Sequence, residues 1–560
     1  MIKKLFAFPI AIILALIIIK PYYHAGFPYT HDGENHLARF ANYKIAVREG
    51  QIPPRFAPNL MNHYGYPVFN YNYPLANILS LPFSFLKINY EVTFKILAGI
   101  LVLLGLVGVY HWLDRLQMPF KAMMFGTTVY ALSPYLWSTI LYRGNIGEIM
   151  AWGLFPWLFY FVESLRSYNN ISYKFKSLII AAFLLSHNVA VLFGIPLVLL
   201  YAFLRYKFDR IFWIRLATAL GFGIALTLWF WLPAVTEKNL VTVGEVGLVS
   251  SFTSHFPTLK QLIVSPLSFG FSQPGSIDSL SFSLGLIQIV LLLISSIMIF
   301  KALISKALRQ RKTLNNSLRL LSILVASCLW LVIFQLKLTK PIWELIPLVS
   351  FIQFPWRLSL FLGVFWAGIG ALIWTLAKTN LKLVLIGLLI IQFISYLKAK
   401  PVDYFHRTNV DYDAFSQSTT TKNENLPKSF TYLEIADWQP RPVVLTGDVQ
   451  VKVDYWTGSD RQYTIIAHTP AVIVEPTMYF AGWQTVADFN GEQKQLTYVD
   501  NEQIQGRIGY ELEAVGTYEL RSEFTQRTWP RMVGNAVSVV SIVCFISVLL
   551  LKSSKSRIAI

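Results

Sequence analysis

Twelve apolar segments constrain the fold of this chain more than any other feature. A helix needs about 20 apolar residues to cross roughly 30 Å of hydrocarbon. Only 14% of the 560 residues are charged, whereas a soluble globular chain carries about a quarter. The sequence predicts a polytopic α-helical membrane protein with about 12 transmembrane helices, near residues 4–20, 93–113, 122–141, 149–165, 177–187, 189–204, 211–235, 280–300, 319–336, 358–377, 383–397 and 532–551.

The segment 177–204 is ambiguous in this scheme. It is too long for one span and short for two, and Ser186-His187-Asn188 interrupts its apolar run. We interpret it as a pair of short helices that turn near the outer face. One merged span would reverse the side of every later loop.

Basic residues gather in alternate short loops, and this pattern sets the predicted topology. The formal net charge of +18 could suggest nucleic acid, but lysines and arginines between apolar runs follow the positive-inside rule. We therefore exclude nucleic acid as a partner and predict a multi-pass protein of the cell membrane with both termini cytoplasmic. Residues 4–20 are interpreted as an uncleaved signal anchor.

Three longer segments are predicted to lie on the outer side. Residues 21–92 form a first outer loop with a helix over 31–49 and an apolar stretch over 74–88, and residues 236–279 form a second loop. Residues 398–530 alternate as strands do, and Asn490-Gly491 is typical of a hairpin turn. We predict a transmembrane domain over 1–397, an extracytoplasmic β-sandwich-like domain over 398–530, and a final anchor with a basic cytoplasmic tail over 531–560.

The first outer loop contains a dense run of ionisable residues, His31-Asp32-Gly-Glu34-Asn-His36-Leu-Ala-Arg39. Thr30 or Asp32 could cap the helix that follows. One interpretation is a capped helix resting on lipid headgroups. The other is that Asp32 or Glu34 acts as a general base or as a ligand of a divalent metal. The residues alone leave both interpretations open.

Other polar groups fall on the same predicted side. They are Arg143 and Glu148 after the third span, His187 in the interrupted pair, and Arg357 at the mouth of the tenth span. Ionisable residues at membrane depth are costly and usually face an interior cavity, although each could also reach the interface alone. Guanidinium groups bind phosphate in a bidentate manner, so Arg143 and Arg357 are candidates for a phosphate clamp.

Several short motifs resemble those of known bacterial membrane proteins. The run from His31 to Arg39, the run Gly65-Tyr-Pro-Val-Phe-Asn-Tyr-Asn-Tyr-Pro-Leu75 and Phe354-Pro-Trp-Arg357 resemble the proteins labelled 6-pyruvoyl-tetrahydropterin synthase-related. The stretch from Tyr479 to Gly491 is similar to the PGW…dG hairpin of YfhO-like membrane proteins. Both groups resemble GT-C glycosyltransferases, in which a polyprenyl-phosphate sugar is the donor.

This resemblance implies a GT-C-like fold and a sugar transfer to a cell-envelope glycan or lipid acceptor on the outer face. It implies that Asp32, with its neighbour Glu34, lies at the catalytic centre, and that Asp32 is the candidate ligand of any divalent metal. Candidate substrate-binding residues are His31, His36, Arg39, Arg143, Glu148, His187 and Arg357. The identity of the second acid stays open, because Arg143 stands where many members have an acid.

The alternative function is a non-catalytic membrane protein that binds or translocates an envelope glycolipid. A transporter of this kind is expected to have paired broken helices near the midplane, and only 177–204 is interrupted in the sequence. The pterin-synthase label itself is discounted, since that soluble enzyme needs a zinc-binding histidine set. The two cysteines, Cys328 and Cys544, both fall within apolar segments and offer no zinc ribbon or disulfide framework.

Overall fold

A computed structural model describes residues 2–165, 172–245, 251–275, 278–304, 312–346, 349, 351–432 and 438–557. The backbone divides into two compact units. The first comprises residues 1–34, 94–224 and 247–406, and the second comprises residues 35–93, 225–246 and 407–560. The predicted domain boundaries at 397 and 530 stay a prediction.

Eight helices in the described part of the chain are long and apolar enough to cross a membrane. They are Tyr90–Arg115, Asn188–Tyr206, Arg210–Leu240, Leu286–Ile304, Asn316–Phe334, Pro355–Leu376, Thr379–Lys398 and Trp529–Ser547. Each overlaps one of the predicted spans, so the chain is a polytopic helical membrane protein. The predicted number of twelve is not confirmed.

The four other predicted spans contain helices that are shorter, interrupted or less apolar. Ile2–Ile18 has 17 residues, and Ser172–Leu184 has 13. The segment predicted as one span over 122–141 is divided at Ser133-Pro134, because a proline disfavours the α conformation of the residue before it. Ile146–Ser164 has 19 residues, and Glu148 and Glu163 near its two ends reduce its hydropathy.

The first unit is mainly a helical bundle. Phe120–Ala131 packs along Ser359–Leu376 at a glycine, since a Cβ on Gly126 would lie 2.6 Å from the Ala367 carbonyl oxygen. The ring of Tyr130 stacks on Trp152 with centroids 4.0 Å apart. Further elements of this unit are the helices Pro134–Ser138, Leu259–Ile263, Lys312–Phe334 and Lys340–Leu345, a π-helical turn Thr139–Arg143, and 3₁₀ turns Lys20–Tyr23, Ser251–Ser254, Lys337–Thr339 and Pro355–Leu358.

A short two-stranded sheet in the first unit joins distant parts of the sequence. Strand β1 (Phe27–Pro28) pairs antiparallel with β2 (Tyr404–Phe405), with Phe27 opposite Phe405. A Cβ on Gly26 would lie 2.6 Å from the Phe405 carbonyl oxygen. The backbone that leads into the ionisable run of the first outer loop is therefore held by residues just after the helix Thr379–Lys398.

The second unit contains two sheets, the helix Gly33–Arg48 from Asn35 onward, and the helices Leu75–Phe85, Asn409–Asp413 and Trp529–Arg557. Its 3₁₀ turns are Pro67–Asn70, Lys238–Leu240 and Thr242–Gly244. The strands are β3 (Val443–Thr446), β4 (Val449–Trp456), β5 (Asp460–Ala467), β6 (Ala471–Met478), β7 (Trp483–Phe489), β8 (Glu492–Gln495), β9 (Arg507–Leu512) and β10 (Gly516–Phe524). The sheet orders are β4-β5-β10-β7-β8 and β3-β6-β9.

Side chains of both sheets share one buried apolar cluster, which includes Tyr463, Ile465 and Leu520 from the larger sheet and Ile473 and Leu512 from the smaller. The C-terminal region is therefore β-rich and sandwich-like, as its alternating pattern predicts. The two-residue turn between β7 and β8 has positive φ at Asn490 (56°) and Gly491 (84°), which is the conformation expected of an Asn-Gly hairpin turn.

Candidate functional site

The backbone around Asp32 is fixed by the turn that precedes the helix Ile146–Ser164. The amide of His31 donates to the Tyr142 carbonyl at 3.0 Å, and the amide of Asp32 donates to the Arg143 carbonyl at 2.9 Å. Thr30 Oγ1 accepts a hydrogen bond from the Gly33 amide at 3.2 Å. Thr30 rather than Asp32 thus bonds the first amide of the helix Gly33–Arg48, and the Asp32 carboxylate turns toward residues 143–145.

The opposing turn needs a glycine at its centre. Gly144 has φ of 61°, and a Cβ there would lie 2.2 Å from Thr30 Oγ1. Asn145 then uses both ends of its side chain. Its Oδ1 accepts from the Glu148 amide at 3.0 Å and caps the helix Ile146–Ser164, while its Nδ2 donates to Asp32 Oδ2 at 3.0 Å. Helix capping and the orientation of Asp32 therefore depend on one amide side chain.

Four of the predicted residues form one ionic cluster within the first unit. Arg143 Nη2 lies 2.8 Å from Glu148 Oε1 and 3.9 Å from Asp32 Oδ2, and Arg357 Nε lies 3.5 Å from the same Glu148 oxygen. Exposure of the side chains differs: Glu148 is 2% and Arg143 4% exposed, whereas Arg357 is 15% and Asp32 34% exposed. Glu148 and Arg143 are therefore a buried ion pair, and Asp32 and Arg357 are the members of the cluster that a ligand can reach.

Two aromatic residues that sequence reasoning did not single out complete the cluster. Tyr135 donates to Glu148 Oε2 at 2.8 Å and accepts from Arg143 Nη1 at 3.1 Å. The guanidinium of Arg143 also lies over the Trp356 ring, 4.6 Å from its centroid, where the ring face attracts a cation. No spacing in the sequence relates Tyr135 to these partners, although Trp356 belongs to the Phe354-Pro-Trp-Arg motif.

Arg357 keeps donor capacity that its protein neighbours do not use. Its Nη1 donates to the Ile352 carbonyl at 3.2 Å and to Gln353 Oε1 at 3.1 Å. Its Nε makes no hydrogen bond in the described structure, since the 3.5 Å approach to Glu148 is an ionic contact only. The guanidinium lies 5.0 Å above the Phe354 ring. Arg357 is therefore held by hydrogen bonds at Nη1 and by an ionic contact at Nε, while its side chain stays 15% exposed.

Electrostatics favour a charged Arg143 and a neutral His31. Burial lowers the pKa of Arg143, but Glu148, Tyr135 and Asp32 together raise it, and the net direction is upward. Burial, followed by the charge of Arg143, lowers the pKa of His31 to about 4, against the opposite effects of Asp32 and the Gly270 backbone. The His31 ring stacks on Phe271 with centroids 4.6 Å apart.

The structure gives the remaining predicted residues other surroundings. His187 Nδ1 accepts from the Ala190 amide at 3.3 Å and caps the helix Asn188–Tyr206. Glu34 is half-buried in the first turn of the helix Gly33–Arg48. In the second unit, His36 lies 3.4 Å from the Tyr73 hydroxyl, and Arg39 donates to the Thr419 hydroxyl and carbonyl. Their roles in substrate binding stay predictions.

The side chains around Asp32 offer few ligands for a metal ion. In the described ranges, no three His, Cys, Asp or Glu side chains cluster so as to hold a metal ion. Near the Asp32 carboxylate lie the Asn145 amide nitrogen and the Arg143 guanidinium, and neither coordinates a cation. The role of Asp32 as a metal ligand stays a prediction, and we assign no step to a metal.

Comparison with known proteins identifies the family. Residues 69–402 match the sequence model of the 6-pyruvoyl-tetrahydropterin synthase related domain, described as a membrane protein, which is more than half of the chain. The chain therefore belongs to this family of membrane proteins, as its motifs predict. An uncharacterised protein of Lactococcus lactis subsp. cremoris strain MG1363 is 24% identical over 209 residues, which cover 36% of this chain and 33% of that protein.

Two solved structures are similar in part. The cryo-EM structure of the arabinofuranosyltransferase AftD from Mycobacteria has a TM-score of 0.45 at 14% identity, over 70% of this chain and 26% of that one. The oligosaccharyltransferase of Archaeoglobus fulgidus, crystallised with Zn and sulfate, has a TM-score of 0.38 at 13% identity, over 76% of this chain and 59% of that one. Similarity at these scores carries no conclusion about activity.

Proposed function

We propose that this protein is a membrane glycosyltransferase of GT-C type, which transfers a sugar from a polyprenyl-phosphate donor to an envelope acceptor on the outer face. The observation that carries the proposal is the geometry around Asp32. A carboxylate that is one-third exposed lies 3.9 Å from a buried arginine and belongs to the same ionic cluster as the partly exposed Arg357. A base and a phosphate-binding cation are the two groups that this transfer requires.

In the proposed reaction, Asp32 accepts the proton of an acceptor hydroxyl as that oxygen forms a bond to the anomeric carbon. The bond between the anomeric carbon and the donor phosphate oxygen breaks, and the lipid phosphate leaves with its electron pair. Arg357 stabilises the phosphate charge through the part of its guanidinium that stays accessible, since the side chain is 15% exposed. A general base of this kind contributes on the order of 10²–10⁴-fold.

The other cluster residues support these two. Arg143 is only 4% exposed and donates to Glu148 and Tyr135, so it serves better to orient Asp32 than to clamp a phosphate, and the more exposed Arg357 takes that role. Glu148 is the counter-ion of both arginines. Glu34, the half-buried acid in the first turn of the helix Gly33–Arg48, is the second candidate for proton transfer.

The substitution Asp32→Asn tests the function. Asparagine keeps the shape and one acceptor oxygen but removes the negative charge and the basicity. We expect envelope glycan made by this protein to fall at least a hundredfold while the protein accumulates and inserts normally. The matched control is Asp403→Asn, an exposed acid of the same unit. Normal glycan with Asn at position 32 would contradict a catalytic base and favour binding or translocation of a glycolipid.

A further inference from the structure

A second site lies in the first unit apart from the Asp32 cluster. Loop residues 253–259 and 274–275, together with residues 336–338, enclose a cleft of about 770 Å³. Ligand pockets commonly measure 300–1,000 Å³, so the cleft has room for a small ligand or for part of a larger one. None of its lining residues belongs to the ionic cluster of Asp32, Arg143, Glu148 and Arg357.

The lining is apolar with a single cation. Six of the eleven lining residues are apolar, and the others are three hydroxyl residues, Gly275 and the cation Lys337; the apolar six are Phe256, Pro257, Leu259, Pro274, Leu336 and Leu338. Leu338 is 69% and Leu259 56% exposed. Exposed apolar surface of this kind is suited to contact with a hydrocarbon chain.

Lys337 differs from the lysine three residues further along. Lys340 lies 3.4 Å from Glu344, whereas no described acid forms an ion pair with Lys337, which is exposed. The charge of Lys337 is therefore uncompensated at the edge of an apolar cleft. A phosphate is a suitable counter-ion, since an ammonium binds it as a point charge.

The position of Lys337 along the chain indicates its level relative to the membrane. The turn Lys337–Thr339 begins three residues after the candidate span Asn316–Phe334 ends. A lysine that follows a candidate span so closely is expected at the level of the lipid headgroups. Between the lining residues Ser254 and Phe256, the ring of His255 contacts Phe354, whose ring lies under Arg357. The cleft is thus next to the candidate site.

We propose that this cleft binds an amphiphile with one hydrocarbon chain and a phosphate, whose chain covers Leu259, Leu336 and Leu338 and whose phosphate contacts Lys337. The site is separate from the donor phosphate site at Arg357, and the proposal stands whether or not the protein transfers a sugar. Its chemistry is that of a lipid phosphate, and free phosphate is the competing source of the same anion.

Native mass spectrometry of the delipidated full chain tests the proposal with three probes: dodecyl phosphate, dodecanol and inorganic phosphate. We expect dodecyl phosphate to bind most tightly, because only it supplies both the chain and the charge. Lys337→Gln should weaken its binding roughly 10- to 100-fold, the range expected for loss of a charge-assisted contact. Lys340→Gln is the matched control and should bind as the parent does.

A second variant, Leu338→Asp, introduces a negative charge at an exposed position, where it repels the phosphate. It should weaken dodecyl phosphate binding while the melting temperature is unchanged. Equal binding by the parent, Lys337→Gln and Leu338→Asp would overturn the proposal. The proposal would also be overturned if dodecanol bound as tightly as dodecyl phosphate, or if inorganic phosphate alone displaced dodecyl phosphate. Loss of dodecyl phosphate in Arg357→Lys but not in Lys337→Gln would assign the phosphate to the candidate site instead.

Discussion

Glu148 determines how two arginines coexist in the candidate site. Its Oε1 lies 2.8 Å from Arg143 and 3.5 Å from Arg357, and its Oε2 accepts the Tyr135 hydroxyl. A buried charge is costly unless it is paired and hydrogen-bonded. Removing one partner of a buried pair typically costs about 3–5 kcal/mol. At the scale of single residues, Glu148 is therefore a structural counter-ion, and the exposed groups Asp32 and Arg357 are those available to a substrate.

Replacement of Arg357 by lysine tests the phosphate role. Lysine keeps the positive charge but lacks the planar fork that binds two phosphate oxygens. We expect Arg357→Lys to reduce glycan formation by at least tenfold with unchanged protein abundance, measured on cells expressing either form. Arg441→Lys, at an exposed position of the second unit, is the control. Full activity of the Arg357→Lys protein would indicate that Arg357 only reaches the membrane interface.

His31 predicts a dependence of stability on pH. Its pKa is lowered to about 4 by burial and then by Arg143, whereas the unfolded residue titrates near pH 6.5. The stabilisation from neutral His31 is complete above about pH 6.5 and is lost as pH falls toward 4, because the unfolded state binds the proton first. We expect the melting temperature of the parent to drop more between pH 7.5 and 5 than that of His31→Asn.

Two comparisons make that measurement decisive. His468→Asn removes an exposed histidine of the second unit and should leave the pH dependence of the parent in place. An equal drop in melting temperature for the parent and for His31→Asn would show that His31 does not contribute. The two proteins are compared by their change with pH, so a constant offset between them does not affect the result.

At the scale of elements, the candidate site depends on the connection from Pro134 to Asn145. The sequence predicts one continuous span over 122–141, but the structure has a short helix, a π-helical turn over Thr139–Arg143, and a left-handed glycine. A π-turn is rare and often marks a functional position. Here it presents the carbonyls of Tyr142 and Arg143 to the amides of His31 and Asp32.

Gly144→Ala tests this connection. The new methyl group would lie 2.2 Å from Thr30 Oγ1, at a backbone φ of 61°. The loop at Thr30 and the turn at Gly144 would therefore have to move apart. We expect loss of activity together with a lower melting temperature. Gly491→Ala is the control, since Gly491 also has positive φ (84°) but nothing lies within 4 Å of its Cβ position. That variant should lose about 1 kcal/mol of stability or slightly more and keep its activity.

Equal activity of the Gly144→Ala protein and the parent would show that the position of Asp32 does not depend on this turn. A loss of activity in Gly491→Ala that matches the loss in Gly144→Ala would also contradict the argument, because the hairpin turn lies in the other unit.

Sequence patterns predicted the elements better than the contacts between them. Alternation located the strands around 449–478, and Asn490-Gly491 located a turn, because these signals are local in the chain. The ionic partners of Arg143 were predicted only to lie on the same side of the membrane as Arg143, not to contact it. Tyr135 was not predicted, since its contact with Glu148 depends on the break at Pro134 and on the π-turn. His187 caps a helix in the structure, and its role in substrate binding stays a prediction.

At the scale of the whole molecule, the predicted topology remains to be measured. The phase of the basic loops predicts that residues 398–530 lie outside the membrane barrier. In a Cys544→Ser background, cysteines at Asn423 and Gly491 should react with a membrane-impermeant reagent on intact cells. A cysteine at Lys382, in a predicted cytoplasmic loop, should react only after lysis. The reverse pattern would invert the topology and place the Asp32 site on the inner face.

The pairing of β1 with β2 has a consequence for biosynthesis. Phe27 pairs with Phe405, so the backbone in front of Asp32 obtains its partner strand only after most of the chain has been made. At about 5–20 residues per second, the ribosome needs roughly 20–75 seconds to travel from one strand to the other. During that interval the Asp32 loop and the turn at Gly144 have no strand β2 to hold them. Chains that terminate before Tyr404 are therefore expected to insert their helices without a finished site.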